Sequence, residues 1–128
     1  NKPQAKNMLF NNAPLEATTT QPAVVEHGEV IINQLQFKLF ELVNPTTGTQ
    51  TNITVALEGN QVNFIDLRQT DADGFTSLPR SCGVNFSPCT GVTVSRDLNT
   101  IQFNDTTLRN SALGGSSKLS GSLTGYAR

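Results

Sequence analysis

The side chains best placed to do chemistry in this sequence are two cysteines, one histidine and ten carboxylates. Cys82 and Cys89 enclose Gly-Val-Asn-Phe-Ser-Pro, a run that favours a turning loop over a helix. A thioredoxin-like redox pair requires Cys-x-x-Cys spacing, which these residues do not have. A structural zinc site takes four ligands, and two cysteines with one distant histidine cannot supply the usual set. A structural disulfide closing a short loop is therefore expected, with a pair of free thiols as the alternative. Paired cysteines belong to oxidising compartments.

His27 precedes Gly28 and would have to serve any Ser–His–Asp or Cys–His arrangement. No Gly-x-Ser-x-Gly elbow accompanies it, and neither the dinucleotide glycine pattern nor the Walker pattern occurs. His27 reads as a solvated turn residue. The ten Asp and Glu residues are scattered, so nothing selects a general acid–base pair, although two could meet in space. Trp is absent and there is one Tyr, which leaves no obvious platform for stacking a sugar.

Asp71-Ala-Asp73-Gly74 resembles half of a calcium loop. Counting from Asp71, position five is Phe75 and position twelve is Cys82, so the EF-hand requirement fails. A looser cation loop at Asp71 and Asp73, with Asp66 or backbone carbonyls assisting, competes with a plain Asp-Gly turn. Asn52, Asn85 and Asn104 each begin a glycosylation triplet, which chance readily supplies in a chain rich in Asn and Thr. No metal and no cofactor is expected.

The chain around these residues has 128 positions, net charge −1 and only 15% charged residues, with Asn, Thr, Ser and Gln filling the gap. That length suits one modest core. The charge argues against nucleic acid, which selects a basic face, and no apolar run is long enough to span a membrane as a helix. The sequence starts at Asn1 and its single Met is Met8, which together with the cysteines leads us to expect an exported protein whose signal peptide has been removed. The periplasm, the cell surface and the extracellular space all fit.

Alternation marks the elements. Val92 and Val94, then Ile101 and Phe103, alternate with polar residues across the polar turn Arg96–Asn99, which specifies a hairpin. Ile53, Val55 and Leu57 form a strand that returns through Gly59-Asn60 into Val62–Arg68. Asn44-Pro-Thr-Thr-Gly48 is a turn. Before it, Leu35, Phe37 and Leu39 change phase to Phe40 and Leu42, which suggests a bulge near Leu39–Phe40, or else a helix over residues 34–43. Residues 104–113 read either as a short helix capped by Asp105 or as a continuing strand. Leu119, Gly121, Leu123 and Gly125 share one phase of a last strand, where glycine implies a bend or the close approach of another backbone.

Residues 1–28 carry Pro3, Pro14 and Pro22 and read as an N-terminal tether or extended arm, with residues 29–128 as a single β domain. Met8, Leu9 and Phe10 either dock on that domain or form a partner-binding patch. The expected fold is an all-β antiparallel sandwich of about seven to eight strands, with a small barrel as the alternative. The expected function is non-catalytic: an exported module that binds a protein or cell-envelope component through loops, an edge strand or the N-terminal arm, with Met8-Leu9-Phe10 and the 69–89 loop as the candidate contact regions. The alternative is a small carrier with an apolar ligand in its interior, which demands a pocket lined by Phe and Leu. A carboxylate hydrolase ranks third.

Overall fold

Hydrophobic alternation resolves into two five-stranded antiparallel sheets in the computed structural model, which describes residues 3–16, 24–32 (as backbone), 35–83 and 86–125. The strands are β1 (Gln4–Phe10), β2 (Ala13–Pro14), β3 (Val24–Ile32), β4 (Leu35–Asn44), β5 (Thr49–Glu58), β6 (Gln61–Thr70), β7 (Arg80–Gly83), β8 (Val92–Val94), β9 (Thr100–Leu108) and β10 (Ser117–Thr124). One sheet has the order β2-β1-β10-β9-β8 and the other is the meander β3-β4-β5-β6-β7. The sheets do not close into a barrel, so the sandwich is the correct alternative. The strands beyond the expected seven or eight are β1, β2 and β7, which are short or lie in segments without clear alternation.

The inner faces bury one continuous core. Phe40, Leu42, Ile53, Val55, Leu57, Ile65 and Leu67 come from the meander, and Met8, Ile101, Phe103, Leu108, Leu119 and Leu123 from the other sheet. This is the interdigitated layer expected when two sheets stack face to face. The β8–β9 and β5–β6 hairpins and the Asn44–Gly48 turn form where the sequence placed them. Asn44 does more than turn the chain. Its Oδ1 accepts the Thr46 amide at 3.0 Å, and its Nδ2 donates across the sandwich to the Pro14 carbonyl at 3.3 Å.

Three sequence readings need correction. The first is the division at residue 28. It falls in the middle of β3, which pairs with β4 from Val24 to Ile32, and β1 is itself a sheet strand paired to β10. Residue 28 is thus internal to a paired strand, and among the described residues β1, β2 and β3 belong to the sheets of the sandwich. The second is β4. Its ladder to β5 runs without a shift from Gln36↔Leu57 to Asn44↔Thr49, and the irregularity lies on β3 between Glu26 and Glu29. The even residues Lys38, Phe40, Leu42 and Asn44 face inward and are buried. Phe37 is therefore on the outer face, in register with Ala56, which is in turn in register with Phe64. The alternation misled because Lys38, an inward residue, is polar in type, whereas Leu35, Phe37 and Leu39 are apolar and outward. The third is residues 104–113, where the strand alternative holds. β9 continues to Leu108, and Asp105 is a bulge residue at φ 50°, not a helix cap. Its amide donates to Ser120 Oγ at 3.1 Å, and that hydroxyl donates back to Asp105 Oδ1 at 3.0 Å.

Beyond the bulge, Thr106 is fully buried, and among the described residues its Oγ1 has no hydrogen-bond partner. Replacing an unsatisfied buried hydroxyl by a methyl of similar shape removes its desolvation cost. Thr106→Val is expected to raise stability by about 1 kcal/mol, read as a higher urea midpoint with an unchanged slope. A lower midpoint would mean that the hydroxyl is satisfied in solution.

Candidate functional site

The disulfide between Cys82 and Cys89 is present, as the spacing implied. Cys82 is fully buried in β7, opposite Ile65 of β6, so the bond ties the loop after β7 to the core. The Gly83 amide donates to the Ser87 carbonyl at 2.6 Å and closes the loop on itself. In the chain-entropy picture a ring of this size stabilises the fold by about 2.5 kcal/mol. Both sulfurs are taken up in the bond, and neither is a free thiol.

The candidate cation loop is organised by its own backbone. Asp71 Oδ1 accepts the amides of Asp73 and Phe75 at 3.0 and 2.9 Å, and the Asp71 amide donates to the Phe75 carbonyl at 2.9 Å. This is an Asx-stabilised turn, the plain alternative for Asp71 and Asp73. No group of three or more His, Cys, Asp or Glu side chains converges on a metal site among the described residues. Other carboxylates also have local tasks: Asp66 pairs with Arg68 at 3.0 Å, and Glu16 accepts the Met8 amide at 3.0 Å. His27 lies in β3, outside the residues whose side chains are described, and Asn85 lies outside the described residues altogether.

Met8, Leu9 and Phe10 divide between the two fates open to them. Met8 is fully buried and belongs to the core, while Leu9 and Phe10 are half-buried, with Phe10 packed against that core. Met8 therefore cannot present itself to a partner. β1 joins the sheet beside β10, which places Met8 in the core and Phe10 against it.

The β8–β9 turn shows how polar side chains can force an apolar residue into a conformation it avoids. Ser95 Oγ accepts the amides of Asn99 and Thr100, and Asp97 Oδ1 also accepts the Asn99 amide. The residue pushed to positive φ is Leu98, at 62°, not Asp97 or Asn99. Its side chain packs against the core, which offsets the strain. The Ser95 hydroxyl and then the Asn99 amide hold the exposed Asp97 carboxyl below the usual carboxylate range. A depressed folded-state pKa contributes stability above the unfolded value and loses it as pH falls through the folded value. The gap in urea midpoint between the protein and Asp97→Ala is thus expected to be constant at neutral pH and to shrink below about pH 4. A gap that stays constant to pH 2 would separate the turn's stability from this carboxylate.

The 69–89 loop, one of the two candidate contact regions in the sequence, contains the β6–β7 connection, which lies beside the β9–β10 connection at one end of the sandwich. Phe75 is 70% exposed and Leu78 53% exposed, and Leu113 is also exposed. The loop carrying Phe75 is nevertheless tied down. Thr70 and Thr76 form a bridge, and the Ser77 amide donates to the Gln69 carbonyl at 2.9 Å. Asn110 Nδ2 donates to the Pro79 carbonyl at 2.6 Å, which holds the two connections side by side. Only the exposure of Phe75 and Leu78 sets them apart from the other apolar residues, and the sequence carries no mark of it.

Fold and site together define a disulfide-bonded antiparallel β-sandwich with an ordered, apolar loop end. Comparison with protein families, characterised proteins and solved structures finds no match to this chain. No helix among the described residues is long and apolar enough to cross a membrane.

Proposed function

We propose that this protein is a non-catalytic exported module that binds a protein or cell-envelope partner through the loop end carrying Phe75 and Leu78. The observation that carries the reading is the exposure of these two side chains on a loop held by backbone and Asx hydrogen bonds. An aromatic side chain left in water on a mobile loop would gain little by binding, because ordering the loop costs entropy. On a loop already ordered, the same ring is a preformed anchor of the kind that dominates interface energetics. The flanking Asp71 and Asp73 carboxylates favour a partner with an apolar pocket rimmed by basic groups. The disulfide supports export, since such bonds persist in oxidising compartments.

The carrier reading receives less support. It calls for an interior pocket lined by Phe and Leu, whereas among the described residues Phe40, Leu57 and Leu119 are themselves fully buried in the core between the sheets.

The test compares the protein with a Phe75→Ser/Leu78→Ser variant, each immobilised and exposed to envelope and extracellular fractions of the producing cells. A partner retained by the first and lost at least tenfold by the second supports the reading. Equal retention by both would remove the loop end from binding. Both changes are at exposed sites, so unchanged urea midpoints are expected to show that the fold is intact.

A further inference from the structure

The opposite end of the sandwich holds a second feature, independent of the Phe75 loop. The Ser95 amide donates to the Thr100 carbonyl at 2.9 Å, and the Asn104 amide donates to the Gly91 carbonyl at 2.8 Å. Hydrogen-bonded pairs alternate along an antiparallel ladder, so between these two bonds it is Thr93 that turns its backbone toward Gln102. Val92 and Val94 therefore point their N–H and C=O groups away from β9. β8 is the last strand of its sheet, so no strand among the described residues takes up those groups.

Facing this edge is the start of β6. β7 pairs with β6 only as far as Phe64↔Gly83, which leaves Gln61 and Val62 beyond its end. Between the two walls runs a groove of about 310 Å³. Val62, Cys89, Val92 and Val94 give it apolar sides, and its other lining residues are polar but uncharged. The disulfide to buried Cys82 fixes Cys89 in the wall, so the groove is preformed. β8 contains neither Lys nor Pro, two of the residues that commonly guard a sheet edge.

We infer that this groove receives an extended, uncharged segment of a partner polypeptide, which adds to the sheet as a strand beside β8. The outward amides and carbonyls of Val92 and Val94 match the backbone of such a segment, and alternate side chains of the segment meet the apolar walls. A charged residue facing walls that carry no charge would be desolvated without a counterpart, so the inward residues are neutral. The three residues of β8 span roughly 10 Å, enough to engage a stretch of about five residues. A second folded copy is the poorer occupant. Its edge strand comes with a whole sheet attached, whereas β6 closes the far side of the groove. Three residues of edge also fall well short of the roughly 1,200 Å² that a stable pair of proteins buries.

The probe is the capped peptide acetyl-Ser-Thr-Val-Thr-Val-Thr-Ser-amide, added at millimolar concentration to the full chain while amide hydrogen exchange is followed by NMR. Exchange at Val92 and Val94 is expected to slow at least tenfold. The same peptide N-methylated at alternate residues, which removes its donors, is expected to leave both unchanged. Val94→Pro removes one outward amide at a position where an edge strand tolerates proline, and is expected to weaken peptide binding at least tenfold. Phe75→Ser/Leu78→Ser is expected to bind the peptide normally, which separates this site from the loop end. Unchanged exchange at Val92 and Val94 under saturating peptide overturns the inference. A dimer seen by sedimentation and abolished by Val94→Pro would also overturn it, by giving the edge to a second copy.

Discussion

Deleting residues 1–16 is expected to unfold this protein. The segment reads as a tether, with three prolines in the first 22 positions and no sustained alternation, yet it supplies β1, an interior strand of its sheet between β2 and β10. Met8 is fully buried and Leu15 nearly so. Each such side chain contributes about 1.5–3 kcal/mol by leaving water. The ladder from Gln4↔Thr124 to Phe10↔Leu119 is lost as well, which exposes the whole side of β10. Together these losses rival the roughly 5–15 kcal/mol that a domain has in total. The truncated chain is expected to lose NMR amide dispersion and to aggregate through the bared edge of β10. Met8→Ala offers a graded version, with a cost of about 2–5 kcal/mol for a fully buried methionine. A truncated chain that kept a dispersed spectrum would restore the tether reading and with it the N-terminal arm as a binding element.

The contrast between β1 and the β8–β9 hairpin explains what the sequence could disclose. Val92, Val94, Ile101 and Phe103 signal their hairpin because partner and partner lie within a few residues of one another. The Cys82–Cys89 loop and the Gly59–Asn60 turn are legible for the same reason. β1 pairs with β10, more than a hundred residues away, and no local pattern announces such a pairing. β4 fails differently. Its outward Phe37 is in register with Ala56, and Ala56 with Phe64, so an apolar outer row spans three strands and is invisible in any one of them. Lys38, inward and fully buried, completes the false phase. The candidate sites follow the same division. Asp71 was identifiable as a turn former from its own tetrapeptide. The prominence of Phe75 and Leu78, and the open edge at Val92 and Val94, depend on what the rest of the fold leaves uncovered.

Gly121 is where that long-range order is most tightly constrained. It lies on β10 between two bulges, one on β1 between Lys6 and Leu9 and the other on β9 opposite Ser120. Asn7 and Asp105 take positive φ at these bulges, 54° and 50°. Gly121 itself has φ 117°, and a Cβ built on it would lie 2.6 Å from the Asn7 carbonyl oxygen and 2.7 Å from Met8 Cα. Both obstacles are backbone, so no side-chain rotation relieves them. β10 is the central strand of its sheet, held by β1 on one side and β9 on the other, and cannot swing away. Gly121→Ala is therefore expected to cost about 2–5 kcal/mol, the sum of a strained φ and an overpacked contact. Gly59→Ala is the control, because Gly59 also has positive φ, at 61°, but nothing lies within 4 Å of its Cβ position. It is expected to lose only about 1–2 kcal/mol, for conformation alone. Urea midpoints of the two variants measure the difference directly. If Gly121→Ala were no worse than Gly59→Ala, β1 would be able to move away from β10, and the N-terminal strand would be held less firmly than its burial implies.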